Sequence, residues 1–472
     1  MNIDVRAKTR IVDANAVWNG IKIGDMMEKA GEGIAKILLS KYGSKKYSIL
    51  CGLGNNGGDG MIAAIHLAAL DESSEIKIFI FGRESHLKTK ASQNAFEKLK
   101  QAEKSYKNLK VIQDAFAKDI ETTDVIVEAI IGSGIKGKLY KRFADVISKI
   151  SKMQAEKVSV DIPLKGYTPS LVISLHFQKV SGAQVVDIGI PSEISNLIGP
   201  GEVRELFVPE KDSYKTKNGE LFIFGGSDTF HGAPLMAIKG ASKFIGTVYF
   251  YTTPGNRKLI DNIKDEVYEF VSVNDSDIEK YASYADAFLI GPGLEDNLMN
   301  RALIQKIFEL YPEKPKVIDA YAIAMAPKDK LKNCILTPHR GELRHIWGDQ
   351  TNMKVRRLEG NLRRFAKESG AIIILKGHTD YVFDYNGEVK LNKTGNPGMA
   401  KGGTGDILSG LAGAFITKND PLLAAQAAIF INGLAGDLAY EEFGYNFSAT
   451  DIVPFAQRGV KMCFDMDIKN NP

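Results

Sequence analysis

The chain has 472 residues, 44% hydrophobic and 25% charged, and 61 Lys and Arg against 57 Asp and Glu give a net charge of +4. This composition is typical of a globular protein, and the length predicts two or three domains. Scattered basic residues and so small a net charge argue against a partner that is a nucleic acid or a membrane surface.

The cysteines and the N-terminal segment bear on the cellular compartment that we expect for this protein. Cys51, Cys334 and Cys463 lack metal-ligand spacing, so we expect reduced, buried thiols and a cytoplasmic protein. The N-terminus has no signal-peptide core, and no apolar run approaches about 18 residues, so no membrane-spanning helix is expected.

The first half alternates strands with helices. Residues 47–54, "YSILCGLG", form an apolar run that ends in glycine, and the next residues have helical periodicity. Further strands are predicted within 75–82, 123–134 and 157–163. This alternation predicts a parallel sheet covered on both faces, with ligands bound beyond the carboxyl ends of its strands.

A polar segment without periodicity, residues 209–219, is the candidate linker, and we place the domain boundary at residue 208. Beyond it the alternation restarts with the segments "ELFIFGGS", "GTVYFYTTP", "DAFLIGPG", "PKVIDA", "NCILTP" and "AIIILKG". The sequence therefore predicts two α/β domains, 1–208 and 209–472.

The segment "GNPGMAKGGTGDIL", residues 395–408, is rich in glycine and continues into an apolar helical pattern. Gly402, Gly403 and Gly405 are predicted to form a loop at a helix N-terminus, where free N–H groups and the helix dipole attract anions. Asp406 repels phosphate there and suits a general acid or base. The alternative is a plain glycine-rich turn with Asp406 as the N-cap.

Four other turns follow apolar strands and indicate one shared ligand crevice. They are "FGGSDTFHGAP" (224–234), "IGPGLE" (290–295), "LTPHRGE" (336–342) and "LKGHTD" (375–380). His339 either binds a substrate or caps its turn, and Lys376 either faces a nucleotide phosphate or lies in solvent.

Taken in order, these motifs of residues 212–455 resemble the ADP- or ATP-dependent NAD(P)H-hydrate dehydratases, which have a ribokinase-like fold. "INGLAGDLA" (431–439) and "SATDI" (448–452) extend the resemblance. It implies that NADH or NADPH hydrated on the nicotinamide ring is phosphorylated by ADP or ATP, and that loss of phosphate restores the ring double bond. It also implies magnesium for the phosphoryl transfer.

The same resemblance implies roles for individual residues. Asp406 matches the catalytic acid that takes the proton of the ring hydroxyl. The positions matching the adenine-nucleotide site are Lys376, Gly377, His378, Thr379, Asp380, Gly402, Gly403 and Gly405. The positions matching the hydrate site are Ala233, Gly293, His339 and Asp406.

Two positions depart from the dehydratase pattern. Tyr321 stands where the family usually has a second Asp after the "VIDA" strand. Lys401 stands where a small residue is common, and we hypothesise that it adds a cation near the phosphates. If Lys401→Ser leaves nucleotide affinity and its salt dependence unchanged, this hypothesis is wrong.

In the first half, "CGLGNNGGDG" (51–60) follows a strand, opens a helix and is a candidate anion loop. Together with "MMEKAGEGIA" (26–35), "EAIIGSGIKG" (128–137) and "VDIPLKG" (160–166), it resembles the NAD(P)H-hydrate epimerases over residues 5–205. These enzymes interconvert the R and S hydrates, bind potassium beside the substrate, and are often fused to the dehydratase in this order.

The epimerase resemblance implies that Asp161, with Lys136 as a partner, handles the proton transfer. The positions matching the hydrate site are Asn55, Asn56, Gly57, Gly58, Asp59, Gly132, Ser133, Gly134, Ile135, Lys136, Gly137, Lys138 and Asp161. Asn56 and Glu128 match potassium ligands.

The epimerase pattern is incomplete. Glu128 replaces the family's Asp, and Leu164 replaces a serine that binds potassium. Lys29 stands where the family has Asn, and residues 170–184 follow the family's "TxTF…K" pattern only loosely. These departures predict an altered or missing potassium site.

The two resemblances predict two three-layer αβα domains, an N-terminal Rossmann-like epimerase and a C-terminal ribokinase-like dehydratase. The alternatives are a ribokinase-like small-molecule kinase, a nucleotide sensor without turnover, and a first half that only stabilises the second or mediates assembly. The implied partners are the NAD(P)H hydrates and an adenine nucleotide, and the resemblance suggests a homo-oligomer.

Overall fold

The computed structural model describes residues 3–133, 140–263, 269–344 and 355–471. Its contacts form two compact units, which we call the N-terminal unit (residues 4–195 with the tail from Asp467) and the C-terminal unit (residues 196–466 with Ile3).

The division falls after Ser195, before the boundary at residue 208 that the sequence suggested. Residues 196–208 include a short helix, Pro200–Arg204, that packs against the helices Pro421–Phe443 and Ile452–Asp465. These contacts assign the segment to the C-terminal unit. A polar composition marked residues 209–219 as the linker, but it carries no information about such packing.

The N-terminal unit is built on a parallel seven-stranded sheet of order β3-β2-β1-β4-β5-β6-β7. Its strands are β1 (Lys46–Cys51), β2 (Glu75–Ile80), β3 (Leu109–Ile112), β4 (Val125–Ala129), β5 (Glu156–Val160), β6 (Leu171–Leu175) and β7 (Gln184–Val186). Its described helices are α1 (Val5–Trp18), α2 (Ile23–Tyr42), α3 (Asn55–Leu70), α4 (Lys90–Ser105), α5 (Lys141–Lys152) and α6 (Ser192–Ser195).

The sheet of this unit is covered on both faces. Ile49 and Leu50 are consecutive in β1, yet they belong to two separate apolar clusters. Because successive side chains of a strand point to opposite faces, the two clusters are the two cores of a three-layer sandwich.

The glycine motif after β1 opens a helix, as predicted, and most of it lies inside α3 and not in a preceding loop. A Cβ atom on Gly57 would lie 2.0 Å from the Gly52 carbonyl oxygen, and one on Gly58 would lie 2.5 Å from the Met27 side chain. Neither glycine has a positive φ. These glycines therefore allow α3 to pack closely against its neighbours.

The C-terminal tail belongs to the N-terminal unit. Ile468 packs against the apolar cluster that contains Ile49. The Asn471 Oδ1 atom accepts the N–H of Ile23 at 2.9 Å, and the Lys469 carbonyl accepts the N–H of Lys90 at 2.9 Å. Ile23 and Lys90 are the first residues of α2 and α4, so the tail satisfies N–H groups that a helix start leaves without a partner.

The C-terminal unit has a nine-stranded sheet of order β10-β9-β8-β11-β12-β13-β14-β15-β16, parallel except for its last two pairings. Its strands are β8 (Glu220–Phe224), β9 (Thr247–Tyr251), β10 (Val271–Ser272), β11 (Ala287–Ile290), β12 (Lys316–Ile318), β13 (Cys334–Leu336), β14 (Ile372–Leu375), β15 (Asp380–Phe383) and β16 (Val389–Asn392). Its described helices are α7 (Pro200–Arg204), α8 (Gly232–Ser242), α9 (Pro254–Ile263), α10 (Ile278–Tyr284), α11 (Leu298–Leu310), α12 (Ala322–Met325), α13 (Val355–Ser369), α14 (Thr404–Ile416), α15 (Pro421–Phe443) and α16 (Ile452–Asp465).

Among the described helices, α15 is long and apolar enough by composition to cross a membrane, and most of its apolar stretch is buried inside the unit. The expectation that no apolar stretch approaches this length is therefore corrected. Gln426, Asn432 and Asp437 interrupt the run, which conceals its overall apolarity. A helix that is apolar nearly all round fits the interior of a large unit.

The predicted α/β class with two three-layer domains is confirmed. Each strand predicted in the first half overlaps one of β1, β2, β4 and β5, and the six strand segments of the second half overlap β8, β9, β11, β12, β13 and β14. In both sheets the strand order reverses next to the first strand, between β1 and β4 and between β8 and β11. Open α/β sheets bind ligands beyond the carboxyl ends of their strands at such reversals.

Candidate functional site

In the C-terminal unit, the turns after β8, β11, β13 and β14 meet at one end of the sheet. A Cβ atom on Gly293, which follows β11, would lie 3.2 Å from the Cβ of Ala233 in α8. Lys376 follows β14, and its N–H donates to the Pro338 carbonyl after β13 at 2.9 Å. The structure thus brings the predicted strand-end motifs into neighbouring positions.

Lys376 lies between two carboxylates. Its Nζ atom lies 3.3 Å from Asp319 Oδ1 and 3.8 Å from Glu342 Oε2. Burial opposes the charged form, but Asp319, Glu342 and Asp406 together raise the pKa of Lys376. The side chain is 20% exposed, so this lysine is fixed between carboxylates and does not extend into solvent.

Asp319 is itself fixed in place. It follows β12, is almost fully buried, and its Oδ1 atom accepts the hydroxyl proton of Thr337 at 2.6 Å. In the sequence, Asp319 stands out only as part of the "VIDA" strand, and Glu342 does not stand out at all. Both are carboxylates that directly follow or lie near a strand end, which is the signal that would have indicated them.

Asp406 lies in the first turn of α14, near this charged group. Burial, reinforced by the charge of Asp319, raises the pKa of Asp406 to about 7, although Lys376 acts in the opposite direction. A carboxyl that titrates near neutral pH can both take up and release a proton. Asp406 is therefore a candidate general base.

The glycines before Asp406 form the start of α14. Gly403 is the residue before the helix, has φ +100°, and a Cβ atom there would lie 2.0 Å from Met236 Sδ. A Cβ atom on Gly405 would lie 3.4 Å from Lys376 Nζ, whereas one on Gly402 would meet nothing within 4 Å. A helix start and a lysine therefore converge on one position, a combination that attracts phosphate.

The same loop is anchored from α15. The Asp437 carboxylate accepts the N–H of Gly395 at 2.8 Å and the side-chain amide of Asn396 at 3.2 Å. Lys401 is directed elsewhere, because its Nζ donates to the carbonyls of Tyr445 and Phe447. The structure thus gives Lys401 a role in fixing the loop, in place of the hypothesised contact with phosphates.

His339 caps its own turn. Its Nδ1 atom accepts the N–H groups of Gly341 at 2.9 Å and Glu342 at 3.2 Å. In the neutral ring these bonds place the proton on Nε2. Its Nε2 atom lies 3.6 Å from Glu342 Oε1, and the side chain is 58% exposed, so a ligand can reach the ring.

The turn after β14 is shaped by Asp380, which accepts the N–H of Gly377 at 2.9 Å and the side-chain amide of Asn392 at 3.0 Å. His378 and Thr379 lie in this turn, and Gly377 and His378 are exposed. Tyr321, which replaces the family's second acid, lies just before α12 and is 39% exposed.

Magnesium was implied for this site. Among the described residues, no group of three or more His, Cys, Asp or Glu side chains is arranged to hold a metal ion. Magnesium in phosphoryl-transfer sites is commonly held by one or two carboxylates together with the substrate phosphates. Asp319 and Glu342 already accept hydrogen bonds, so the donor set fits a magnesium ion carried chiefly by the nucleotide.

In the N-terminal unit, the turns after β1, β4 and β5 converge at the strand reversal. A Cβ atom on Gly132 would lie 2.6 Å from Asp161 Oδ2 and 3.1 Å from Asn56 Oδ1. Asp161 has φ +72°, a left-handed conformation that costs a non-glycine residue energy and is found preferentially at functional sites. The structure brings these three predicted residues together.

Lys179 is a member of this site that the sequence analysis did not single out. It follows β6, and its Nζ forms an ion pair with Asp161 Oδ1. The two side chains are only 3% and 6% exposed. The lysine lies in the segment 170–184 that matches the epimerase pattern only loosely, and no local pattern could show that it reaches Asp161.

The remaining predicted epimerase residues are placed in part. Asn55 Oδ1 accepts the hydroxyl of Thr89 at 2.6 Å, and the Ser133 carbonyl accepts a guanidinium N–H of Arg10 at 3.4 Å. Gly134, Ile135, Lys136, Gly137 and Lys138 lie outside the described residues. The role of Lys136 as the partner of Asp161 therefore stays a prediction.

The residues at the expected potassium position do not fit a potassium ion. Glu128 is fully buried, and its two oxygens accept the Ser159 hydroxyl at 2.7 Å and the N–H of Ile130 at 2.9 Å. Burial raises its pKa to about 7. Leu164 belongs to an apolar core cluster, which leaves Asn56 as the remaining candidate ligand.

Comparison with known proteins gives a match for each unit. The family model described as NAD(P)H-hydrate dehydratase matches residues 221–458, and the model described as YjeF-related protein N-terminus matches residues 24–168. One similar solved structure is that of the ADP/ATP-dependent NAD(P)H-hydrate dehydratase from Bacillus subtilis, co-crystallised with ATP and Mg²⁺. It is 26% identical to this chain, with a TM-score of 0.50, and the match covers 57% of this chain and 98% of that one. A ribokinase-like superfamily protein from Enterococcus faecalis shares the fold, with 23% identity over 59% of this chain and 97% of its own and a TM-score of 0.51.

Relatives extend over nearly the whole chain. A bifunctional NAD(P)H-hydrate repair enzyme of Archaeoglobus fulgidus is 30% identical over 96% of this chain and 97% of its own length. One of Methanocaldococcus jannaschii is 32% identical over 94% of this chain and 90% of its own. With a dehydratase unit, an epimerase-like unit and their order all shared with these relatives, the chain belongs to the family of bifunctional NAD(P)H-hydrate repair enzymes.

Proposed function

We propose that the C-terminal unit dehydrates the S hydrate of NADH or NADPH with ADP or ATP as the phosphoryl donor, at the site formed by Asp406, Lys376 and the start of α14. The observation that carries the proposal is Asp406, whose pKa lies at about 7 in the first turn of a helix that begins with glycines. Phosphate binding alone would not call for an acid at this place.

The proposed reaction has two steps. Asp406 takes the proton of the ring hydroxyl, and the hydroxyl oxygen forms a bond to the terminal phosphorus as its bond to the nucleotide breaks. The N–H groups at the start of α14 and the ammonium of Lys376 stabilise the negative charge that is transferred. Phosphate then leaves the ring carbon while the neighbouring carbon loses a proton, which restores the double bond.

Other residues position the reactants. Asp319 and Glu342 hold Lys376 beside Gly405, and Asp437 holds the loop that precedes the helix. Magnesium, when bound with the nucleotide phosphates, would reduce their negative charge. Ala233, Gly293 and His339 surround the place proposed for the hydrate.

The experiment incubates pure S hydrate with ADP or ATP and follows both the absorbance of the reduced nicotinamide and phosphate release. We expect the absorbance to return as phosphate is released, and Asp406→Asn to lower kcat by about 10²–10⁴-fold with nucleotide affinity retained. The rate of the parent should fall as the pH drops through about 7, because the base is then protonated.

Two results would contradict the proposal. A stable phosphorylated product without return of absorbance would favour a small-molecule kinase. Full turnover by Asp406→Asn would show that this carboxyl is not the base. Glu279→Gln serves as a control in the same unit, because its carboxyl is exposed and pairs with Lys306.

We propose that the N-terminal unit interconverts the R and S hydrates, with Asp161 in the proton transfer. Support comes from the strained backbone of Asp161 and from its position beside Gly132 and Asn56. With pure R hydrate, ADP and magnesium, the parent should consume the R form faster than spontaneous epimerisation allows. Asp161→Ala should lose this advantage while still using the S form at the parent rate; equal, slow consumption by both proteins would favour a non-catalytic unit.

A further inference from the structure

The N-terminal site, in which the family resemblance implies a potassium ion, contains a buried ammonium group beside Asp161. Lys179 forms an ion pair with Asp161, and both side chains are nearly inaccessible to solvent. The backbone N–H of Lys179 donates to Ser174 Oγ at 3.2 Å, and its Nζ lies 5.3 Å from the centre of the Phe177 ring. The ion pair, the ring of Phe177 and the backbone hydrogen bond therefore fix the position of Lys179.

Acidic residues from three elements interact electrostatically with this ammonium. Asp161 follows β5, Asp13 lies in α1, and Asp59 lies in α3. Burial raises the pKa of Asp13 to about 6 and that of Asp59 well above its usual value, and in both cases the charge of Lys179 acts in the opposite direction. Lys179 is thus a positive charge that favours the ionised forms of Asp13 and Asp59 against the effect of their burial.

Of the three positions that match potassium ligands, two do not suit the ion. Glu128 accepts hydrogen bonds with both oxygens, and Leu164 offers none. Asp161 Oδ1 binds Lys179, so a potassium ion on the same carboxylate would lie close to an ammonium and be repelled by it.

Asn56 provides an independent observation. Its side-chain nitrogen is buried and has no hydrogen-bond partner among the described residues. A buried donor without a partner is costly, so it calls for an acceptor from a ligand. The polar atoms left at the site therefore suit an acceptor-bearing substrate beside a resident cation.

We propose that the ammonium of Lys179 is the resident cation of the N-terminal site, and that epimerisation of NAD(P)H hydrates by this chain does not require potassium. The proposal rests on the epimerase function proposed above for the same site. Lys179 acts as a positioning residue that holds Asp161 and balances the negative charge around it.

The first test measures R-to-S conversion directly by NMR, without nucleotide, so that the dehydratase is silent. The full chain is exchanged into choline, sodium or potassium chloride at equal ionic strength. We expect the same rate in all three salts. Saturable activation by potassium but not by sodium would overturn the proposal while leaving the epimerase function intact.

The second test does not depend on activity. Unfolding of the N-terminal unit is followed by differential scanning calorimetry in the same three salts, and its transition is identified as the one that ADP does not shift. We expect no specific stabilisation by potassium. If the chain epimerises in no salt, the proposed epimerase function fails, and this measurement still decides whether the unit binds potassium.

Two variants test the role of the charge. Lys179→Met keeps the aliphatic stem and should lower the epimerisation rate by about 100-fold, whereas Lys179→Arg should keep a substantial part of it. A merely structural role predicts that loss of activity follows loss of thermal stability in both variants. Equal rates for Lys179→Met and the parent would overturn the proposal, and so would potassium binding by the parent.

Discussion

At Asp406, burial and nearby charges act on one carboxyl in opposite directions. Burial and Asp319 favour the protonated form, and Lys376 favours the ionised form. The resulting pKa of about 7 is far above the usual value of 3.8, so folding binds a proton here at pH values where the unfolded chain has lost it. The same property that suits a base therefore costs stability.

This cost has a definite direction with pH. Because the pKa in the folded state is the higher one, stability falls as the pH rises from about 4 to about 7, and the cost is complete above that range. Asp406→Asn cannot ionise, so its C-terminal unit should gain stability over the parent across this window, on the order of 2 kcal/mol allowing for partial exposure. The measurement is the Tm of both proteins without nucleotide between about pH 4 and pH 8.

A constant difference in Tm across this range would show that Asp406 ionises normally in the folded protein. Glu279→Gln is a suitable control. Its carboxyl is fully exposed, and a bond with Lys306 holds its pKa below the usual value, the opposite direction to Asp406.

The sequence carried part of this site and not the rest. Asp406 and its glycines were recognisable because helix starts and glycine loops have local signatures. The ion pairs of Lys376 with Asp319 and of Lys179 with Asp161 join residues that are distant in the chain. Such pairs depend on strand order and side-chain direction, which no local pattern contains.

Glycines in similar sequence motifs are needed for different structural reasons in the two units. Gly403 precedes α14 with a positive φ, so its backbone freedom is required. Gly57 and Gly58 lie inside α3 and are required for space alone. The motif after β1 was therefore read as an anion loop, because spacing does not distinguish a flexible turn from a close packing contact.

The start of α14 allows a matched test. Gly403→Ala places a side chain at φ +100° and against Met236, and should destabilise the C-terminal unit by about 2 kcal/mol or more. Gly402→Ala enters open space at an ordinary φ and should stay within about 0.5 kcal/mol of the parent. Thermal unfolding without nucleotide is the measurement; equal effects of the two changes would show that the backbone at Gly403 is not constrained.

On the scale of the whole molecule, two units with separate cores follow one another in the chain. The C-terminal tail is the exception, because it packs with the unit that comes first in the chain. Residues from Asp467 onward pack with residues 4–195. Two helices of the N-terminal unit, α2 and α4, receive a hydrogen bond acceptor at their first residue from this tail. Homo-oligomeric assembly, which the resemblance implied, stays a prediction.

Deleting residues 467–472 should lower the stability of the N-terminal unit by about 2–4 kcal/mol, because it removes the apolar contact of Ile468 and two helix-start bonds. The transition that ADP shifts should be unaffected. A finer comparison is Asn471→Ala, which removes the acceptor for Ile23, against Asn470→Ala, whose side chain bonds only to Asp467 among the described contacts. Equal Tm values for these two variants would contradict a role for the tail in capping α2.

The position of the tail in the chain also determines when the N-terminal unit can complete its packing during synthesis. The N-terminal unit leaves the ribosome first, yet its last contacts are supplied by residues made after the whole segment 196–466. Until then α2 and α4 lack the hydrogen-bond acceptors for their first N–H groups, and the apolar cluster lacks its contact with Ile468. A fragment that ends at residue 208 would lack the contacts of the tail permanently. The epimerase activity of this chain is therefore best measured on the full-length protein.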